Sequence, residues 1–271
     1  MPIITKVSSQ KRPGRYNIFL DDQYAFSASE QTVAEFVLLK GQSVSTAKVA
    51  EIKQFDADAR ATNLASKFLS YEPRTIFEVL QYLGKHEIDD QAAQNAVVQL
   101  SEMGFLDDRK YVELALKQDL RIGTDGPLGV SRKLTLKGVD PELVQAELAA
   151  IGDEEWLEPG LRVLKSMKSK VGRIAQRELE RKMRTKLMSH GFSGPLASMV
   201  IAEVDLQAGD ADQLEALKKQ GVKAYKRFRR LPEGERKSKM RNYLYTHGFS
   251  SGEIDSFLAG EVIPLAELAD Y

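Results

Sequence analysis

The chain has 271 residues, with 39 Lys and Arg balanced by 39 Asp and Glu, and no cysteine. That excludes disulfides and thiolate metal sites, and no apolar stretch approaches the roughly 18 residues needed to span a membrane. The opening MPIITKVSSQKRPGRY lacks the apolar core of a signal peptide, so a cytoplasmic, helix-rich protein is expected from a composition 29% charged and 42% hydrophobic.

The first 50 or so residues differ from the rest. Ile3, Ile4 and Val7 predict a short strand. The runs Arg15–Leu20 and Tyr24–Phe26 flank Asp21-Asp22-Gln23, which predicts a β-hairpin. The paired Asp residues resemble a carboxylate dyad, but turn chemistry accounts for them better. A helix is predicted over 29–39, ending at Lys40-Gly41. A brief strand or loop follows at 43–45, and a short helix from Thr46.

From about Asp56 the pattern is helical to the end. Helices are predicted near 57–70, 73–84 and 89–103, then after Asp107-Asp108 and again after Gly126-Pro127. A long basic helix and a second one over 174–190 come next. A further helix ends near Leu231, and the last closes around Ala259-Gly260. Trp156, the single tryptophan, is expected to be a core anchor.

One phrase recurs through this region: LGKHEID from Leu83, LTLKGVD from Leu134, LMSHGFS from Leu187 and LYTHGFS from Leu244. The leucines lie 51, 53 and 57 residues apart, the mark of a tandem array. Val79, Val130, Met183 and Met240 stand four residues before each Leu, so each pair marks one helix face. Gly138, Gly191 and Gly248 suit the left-handed position past a helix end, whereas Glu87 in the first copy must be closed differently or carry strain. Ile88, Val139, Phe192 and Phe249 would drop into the core, and the Asp or Ser after each would cap the next helix. The three histidines, His86, His190 and His247, share one slot in separate modules, so they read as helix-end residues facing the dipole rather than as converging ligands.

These features predict a mainly α fold: tandem three-helix repeats in an elongated, curved array behind a small N-terminal segment containing a β-hairpin. The expected divisions are 1–55 (β/α segment), 56–106, 107–152, 153–207 and 208–271 (repeats one to four).

Net neutrality hides an uneven layout. Residues 140–158 hold seven acids and no Lys or Arg. Residues 165–186 hold nine basic and two acidic residues, and residues 218–241 eleven basic and two acidic. Such runs can steer a polyanion or an acidic groove, or can be the solvated faces of long helices. The candidate contacts are Lys165, Lys168, Lys170, Arg173, Lys182, Arg184 and Lys186 in the first run, and Arg229, Arg230, Arg236, Lys237 and Arg241 in the second. Tyr225, Phe228, Tyr243 and Tyr245 lie among them, at spacings that suit base stacking or a helical core face. There is no phosphate-binding loop, nucleophile elbow or His-Glu-x-x-His, and the adjacent acids all fall at helix starts. Neither an enzyme, a metal site nor a cofactor is indicated.

In order and spacing, these motifs resemble the RecX family, regulators of the RecA recombinase, over essentially the whole chain. The resemblance is carried by residues 4–22, Tyr71-Glu-Pro-Arg-Thr75, Gly104-Phe-Leu-Asp-Asp108 with Tyr111, Gly126-Pro-Leu-Gly-Val130 leading to Lys137-Gly-Val139, and the His-Gly-Phe turns at 190–192 and 247–249. His86-Glu87 replaces that family's Lys-Gly turn, and four repeats rather than three mark a longer member. The resemblance implies a monomer that binds the RecA–single-stranded DNA filament along its groove and damps ATP hydrolysis, strand exchange and co-protease activity, or promotes disassembly. It thereby implies a role in DNA repair, recombination and the SOS response. Direct binding of single- or double-stranded DNA by the basic face of repeats three and four is the alternative, and a helical scaffold for an unrelated partner is a third.

Overall fold

A computed structural model describes residues 1–11, 13–206, 209–264 and 267–269. The chain forms two compact units, residues 1–113 with 134–143, and residues 114–133 with 144–271. The division expected at 207/208 lies outside the described residues. Among those residues no helix is long and apolar enough to cross a membrane.

The first unit opens with an antiparallel meander, β1 (Ile4–Ser9), β2 (Arg15–Leu20) and β3 (Gln23–Ser29). Val7 and Phe26 both face Ile18 across the ladders. The expected hairpin turn is present, with Asp21 and Asp22 at φ 47° and 65°, the left-handed pair that a two-residue hairpin loop requires. Asp21 Oδ1 accepts the Ile3 N–H at 3.0 Å, so its carboxylate serves the turn. Ile4, Ile18, Phe26 and Ala28 form a core with Leu38, Val44 and Ile52.

Two helices depart from expectation. Helix α1 (Glu30–Glu35) stops four residues short of the predicted end. Val37 turns left-handed at φ 49°, and the Leu38 N–H returns to the Val33 carbonyl at 3.0 Å. This turn drops Leu38 into the core, where it is buried. Helix α2 (Thr46–Leu69) is one helix of 24 residues where two were predicted. Ser45 caps it by accepting the Lys48 N–H, and no Gly or Pro interrupts it. Residues 55/56, expected to divide segments, lie inside it.

A buried carboxylate ties α2 to the sheet. Asp56 accepts the Ser29 N–H at 2.6 Å, the Thr32 hydroxyl at 2.9 Å and the Arg15 guanidinium at 2.9 Å. Burial pushes this carboxyl up, but the three donors outweigh it and hold it below the usual carboxylate range.

The remaining helices are α3 (Ile76–Lys85), α4 (Asp90–Glu102), α5 (Asp108–Ile122), α6 (Pro127–Leu136), α7 (Pro141–Ala149), α8 (Leu157–Leu164), α9 (Gln176–Ser189), α10 (Gly194–Glu203), α11 (Asp210–Phe228), α12 (Glu233–Thr246) and α13 (Ser251–Ala259). The long basic helix expected first in repeat three is absent. Helix α8 ends at Leu164, and Lys165–Lys170 form a 3-10 segment that buries Met167. Trp156 is buried as expected.

The repeated phrase closes α3, α6, α9 and α12 in one way. Ile88, Val139, Phe192 and Phe249 each return their N–H to Leu83, Leu134, Leu187 and Leu244, at 3.1–3.2 Å. This is the six-to-one bond of a Schellman turn. Gly138, Gly191 and Gly248 stand at φ 77°, 85° and 93°, and Glu87 adopts the same conformation at φ 58°. The returning apolar residues and the paired helix-face residues are all buried. Asp89, Ser193 and Ser250 then cap the next helix through Ala92, Leu196 and Glu253. Asp140 accepts the Glu142 N–H. His86, His190 and His247 are the C-cap residues.

Three of the turns also dock on the start of a preceding helix. The Thr75 hydroxyl donates to the Lys137 carbonyl at 2.7 Å, and Gly138 lies against Phe77. Gly126 and Leu128 donate to the carbonyls of His190 and Gly191 at 2.8 and 3.0 Å. Gly248 packs on Ala175 and Glu178.

At Gly191 a Cβ would overlap the Gly129 backbone nitrogen as well as force a left-handed alanine. Gly191→Ala should therefore destabilise by about 3 kcal/mol or more, whereas Glu87→Gly should stabilise by about 1 kcal/mol. Denaturant midpoints check both. For Asp56 the lowered carboxyl means its stabilisation is complete above the ordinary value of about 3.9 and is lost as pH falls through the lower folded value. Asp56→Asn should cost about 1–3 kcal/mol at neutral pH and flatten that acid limb, read from unfolding curves between pH 7 and 2.

Candidate partner-binding surface

The twelve candidate cations all lie in the second unit, but the fold uses half of them. Glu178, buried on α9, receives Arg181 through two hydrogen bonds of 2.7 and 2.8 Å and Lys182 at 3.1 Å. The Arg181 hydrogen bonds hold its carboxyl low against the opposing effect of burial, helped by Lys182. Arg184 donates to Ser198 Oγ on α10 at 2.8 Å. Lys186 reaches the Val163 carbonyl at 2.8 Å and Ser166 Oγ at 2.6 Å, satisfying the end of α8. The α9 run is thus largely an internal fastening.

On α12, Lys237 pairs with Glu233 at 2.7 Å and Arg241 with Asp255 at 2.5 Å. Arg236 lies over the Tyr225 ring, 5.2 Å from its centre. Three of the four aromatic candidates are core. Tyr225 and Phe228 pack against the C-terminal cluster, and Tyr243 is buried within it. Only Tyr245, 65% exposed, is open to a partner.

The other six cations form two free patches. Lys165, Lys168, Lys170 and Arg173 lie on the 3-10 segment and the turn after it, with no ion-pair partner among the described residues. The turn is held against the middle of α11: Lys219 Nζ donates to the Gly172 carbonyl at 3.3 Å and Gln220 Nε2 to the Arg173 carbonyl at 3.0 Å. Arg229 and Arg230 stand exposed past the end of α11, likewise unpaired. Nine residues of helix separate Gln220 from Arg229, about 14 Å at 1.5 Å per residue. The structure therefore joins the first four candidates and sets the last two apart. Lys226, exposed and unpaired one turn before Arg230, belongs with that second patch. Sequence reasoning passed over it, although its i, i+4 spacing on one helix face was the available signal.

Among the described residues no group of three or more His, Asp or Glu side chains could hold a metal ion. His190 Nδ1 lies 3.6 Å from Asp125, and the His247 Nδ1–H donates to the Tyr243 carbonyl at 2.6 Å. What this unit offers chemically is exposed positive charge on the 3-10 segment and its following turn, and at the end of α11. Lys186→Ala should cost about 1 kcal/mol because it strips a charged donor from the α8 end, while Lys168→Ala should stay within about 0.5 kcal/mol. Thermal unfolding of the two variants distinguishes the fastened cation from the free one.

Comparison with known proteins agrees with this architecture. The family model for the regulatory protein RecX N-terminal domain matches residues 2–45, and that for the RecX third three-helix domain matches residues 210–258. A protein named regulatory protein RecX from Lactobacillus delbrueckii subsp. bulgaricus is 55% identical over 271 residues, all of both chains. One of the same name from Bacillus licheniformis is 33% identical over 95% of this chain and 98% of its own. A crystal structure of regulatory protein RecX superposes with a TM-score of 0.61 at 26% identity, covering 75% of this chain and all of that one. The chain belongs to the RecX family of regulatory proteins.

Proposed function

We propose that this protein is a non-catalytic, monomeric, cytoplasmic regulator that binds the RecA–single-stranded DNA filament and damps its ATPase, strand-exchange and co-protease activities. Through them it would influence recombination, repair and the SOS response. The observation that carries this reading is the full-length similarity to proteins named regulatory protein RecX. The five-part division at 55/56, 106/107, 152/153 and 207/208 is retained as part of the proposal.

The physical route is occupancy. The patch at Lys165–Arg173 ends in a turn that Lys219 and Gln220 hold against α11, so part of its backbone order is in place before binding. Several weak contacts on one molecule add through effective concentration. A filament whose groove is filled cannot admit a second strand, and such inhibition needs no reacting group. The alternative, direct nucleic-acid binding by the same face, draws on one observation: exposed Tyr245 follows Arg241 by one helical turn and could stack a base beside a cation.

The test is DNA-dependent ATP hydrolysis by the cognate RecA with this protein titrated in. Suppression well below one molecule per RecA protomer is expected. The Lys165→Glu/Lys168→Glu/Arg173→Glu and Arg229→Glu/Arg230→Glu variants should each need about tenfold more protein for half-inhibition. Normal inhibition by both variants would move the contact face elsewhere. No inhibition by the unaltered protein, with salt-sensitive binding to bare strands instead, would favour the nucleic-acid reading.

A further inference from the structure

A second cationic site lies in the first unit, far in sequence from the basic runs. A cleft of about 520 Å³ is lined by Arg15, Ser29, Arg60, Asn63, Lys67 and His86, and no carboxylate lines it. Asp56, the acid bonded to Arg15, is buried and already answers Ser29 and Thr32 as well. Arg15 is therefore neutralised. Arg60 and Lys67 are exposed and have no ion pair or hydrogen bond among the described residues.

The spacing is ordered. Arg60 and Lys67 are seven residues apart on α2, so they share one helix face about 10 Å apart along the axis, with Asn63 between them. Lys53, another seven residues back, continues the stripe, its Nζ 5.7 Å from the Phe26 ring centre. A line of cations flanked by amide and hydroxyl groups suits a chain of phosphates.

One ring, His86, lines the cleft, and the rings stacked behind it bear on the rest of the ligand. The Arg74 guanidinium covers the Phe68 ring at 4.5 Å, Phe68 stacks on Tyr82 at 4.1 Å with the planes 2° apart, and Tyr82 meets His86 at 4.4 Å. This aromatic column ends in His86, which is exposed at the cleft. An acidic peptide would use the cations but has no call for a ring. A cationic groove with an aromatic ring at its wall is the arrangement that binds single-stranded nucleic acid without sequence preference.

We infer that this cleft binds single-stranded nucleic acid, with Arg60 and Lys67 on neighbouring phosphates and His86 against a base. The site stands independently of the filament reading and of the C-terminal patches.

The experiment is fluorescence anisotropy of a fluorescein-labelled dT15 strand with the full chain, titrated at several salt concentrations. Arg60→Glu/Lys67→Glu should weaken binding about twentyfold at 0.1 M salt and make the salt slope shallower by about 0.7 per lost phosphate contact. His86→Ala should weaken it about fivefold or more. Lys11→Glu/Lys40→Glu, an equal charge change on exposed residues outside the cleft, should leave it nearly unchanged. Repeating the series in an Arg229→Glu/Arg230→Glu background separates this site from the C-terminal patch, and the same fold-losses are expected there. Unchanged affinity and slope for Arg60→Glu/Lys67→Glu, or an equal loss for the control pair, would overturn the inference. So would displacement of the strand by poly-L-glutamate at equal charge, which would mark the cleft as a seat for an acidic protein.

Discussion

The architecture rests on a left-handed residue followed by a buried apolar one, with a six-to-one hydrogen bond closing the helix before it. At Gly138, Gly191 and Gly248 this unit serves two purposes at once. It satisfies the orphan carbonyls of one helix, and its backbone is bare enough to touch the first turn of another. Gly191 against Gly129 is the tightest instance: a Cβ on Gly191 would fall on the Gly129 backbone nitrogen, and one on Gly129 would fall on the His190 carbonyl oxygen. The first copy of the turn explains the exception. Glu87 is exposed and keeps the left-handed conformation with its side chain outward, and no earlier three-helix repeat precedes it in the chain to receive the turn. A side chain is tolerated there at the cost of local strain alone.

This constraint also governs what could be read from the sequence. The turn is local chemistry, and every part of it has a residue signature: helix-face Val or Met, Leu, cation, Gly, apolar residue, capping Asp or Ser. The hairpin at Asp21-Asp22 was legible for the same reason. The union of two predicted helices into α2 was not. What holds residues 46–69 in one helix is Ser45 at its start and the Asp56 carboxylate fastening its middle to Ser29, Thr32 and Arg15, all distant in sequence. The break between α8 and α9 was hidden in the opposite way. A run rich in Lys and Arg has good helix propensity, but burial of Met167, the left-handed Gly172 and the capping of Val163 by Lys186 turn it into a 3-10 segment. Each of these is a tertiary demand overriding a local preference.

The candidate site was legible only as a count of charges. Sequence distinguishes a basic run from a neutral one, but not a cation that closes a helix from one that faces solvent. Arg184 and Lys186 read the same as Lys165 and Lys168 until Ser198 and Val163 are placed beside them. The α2 cleft was missed for the converse reason. Arg60 and Lys67 stand in a helix where three acids are interspersed with four bases, so no run announces them. What matters there is the heptad interval along one helix, combined with an aromatic column contributed by α2 and α3.

Net neutrality then has a physical consequence. Where cations are paired internally, as around Glu178 and along α12, their fields cancel within one side-chain length. The unpaired ones act over about 8–10 Å at physiological ionic strength before screening removes them. A neutral chain arranged this way is not drawn to polyanions at large. Among the twelve candidate cations of the two basic runs, six are held internally, so only the other six are left to meet a partner's negative charge. Mutations that free a fastened cation would broaden binding while weakening the fold, and mutations at the open ones would do neither. For this chain, the basic runs therefore divide into cations that fasten the fold and cations that face solvent, and the proposed recognition falls to the second group.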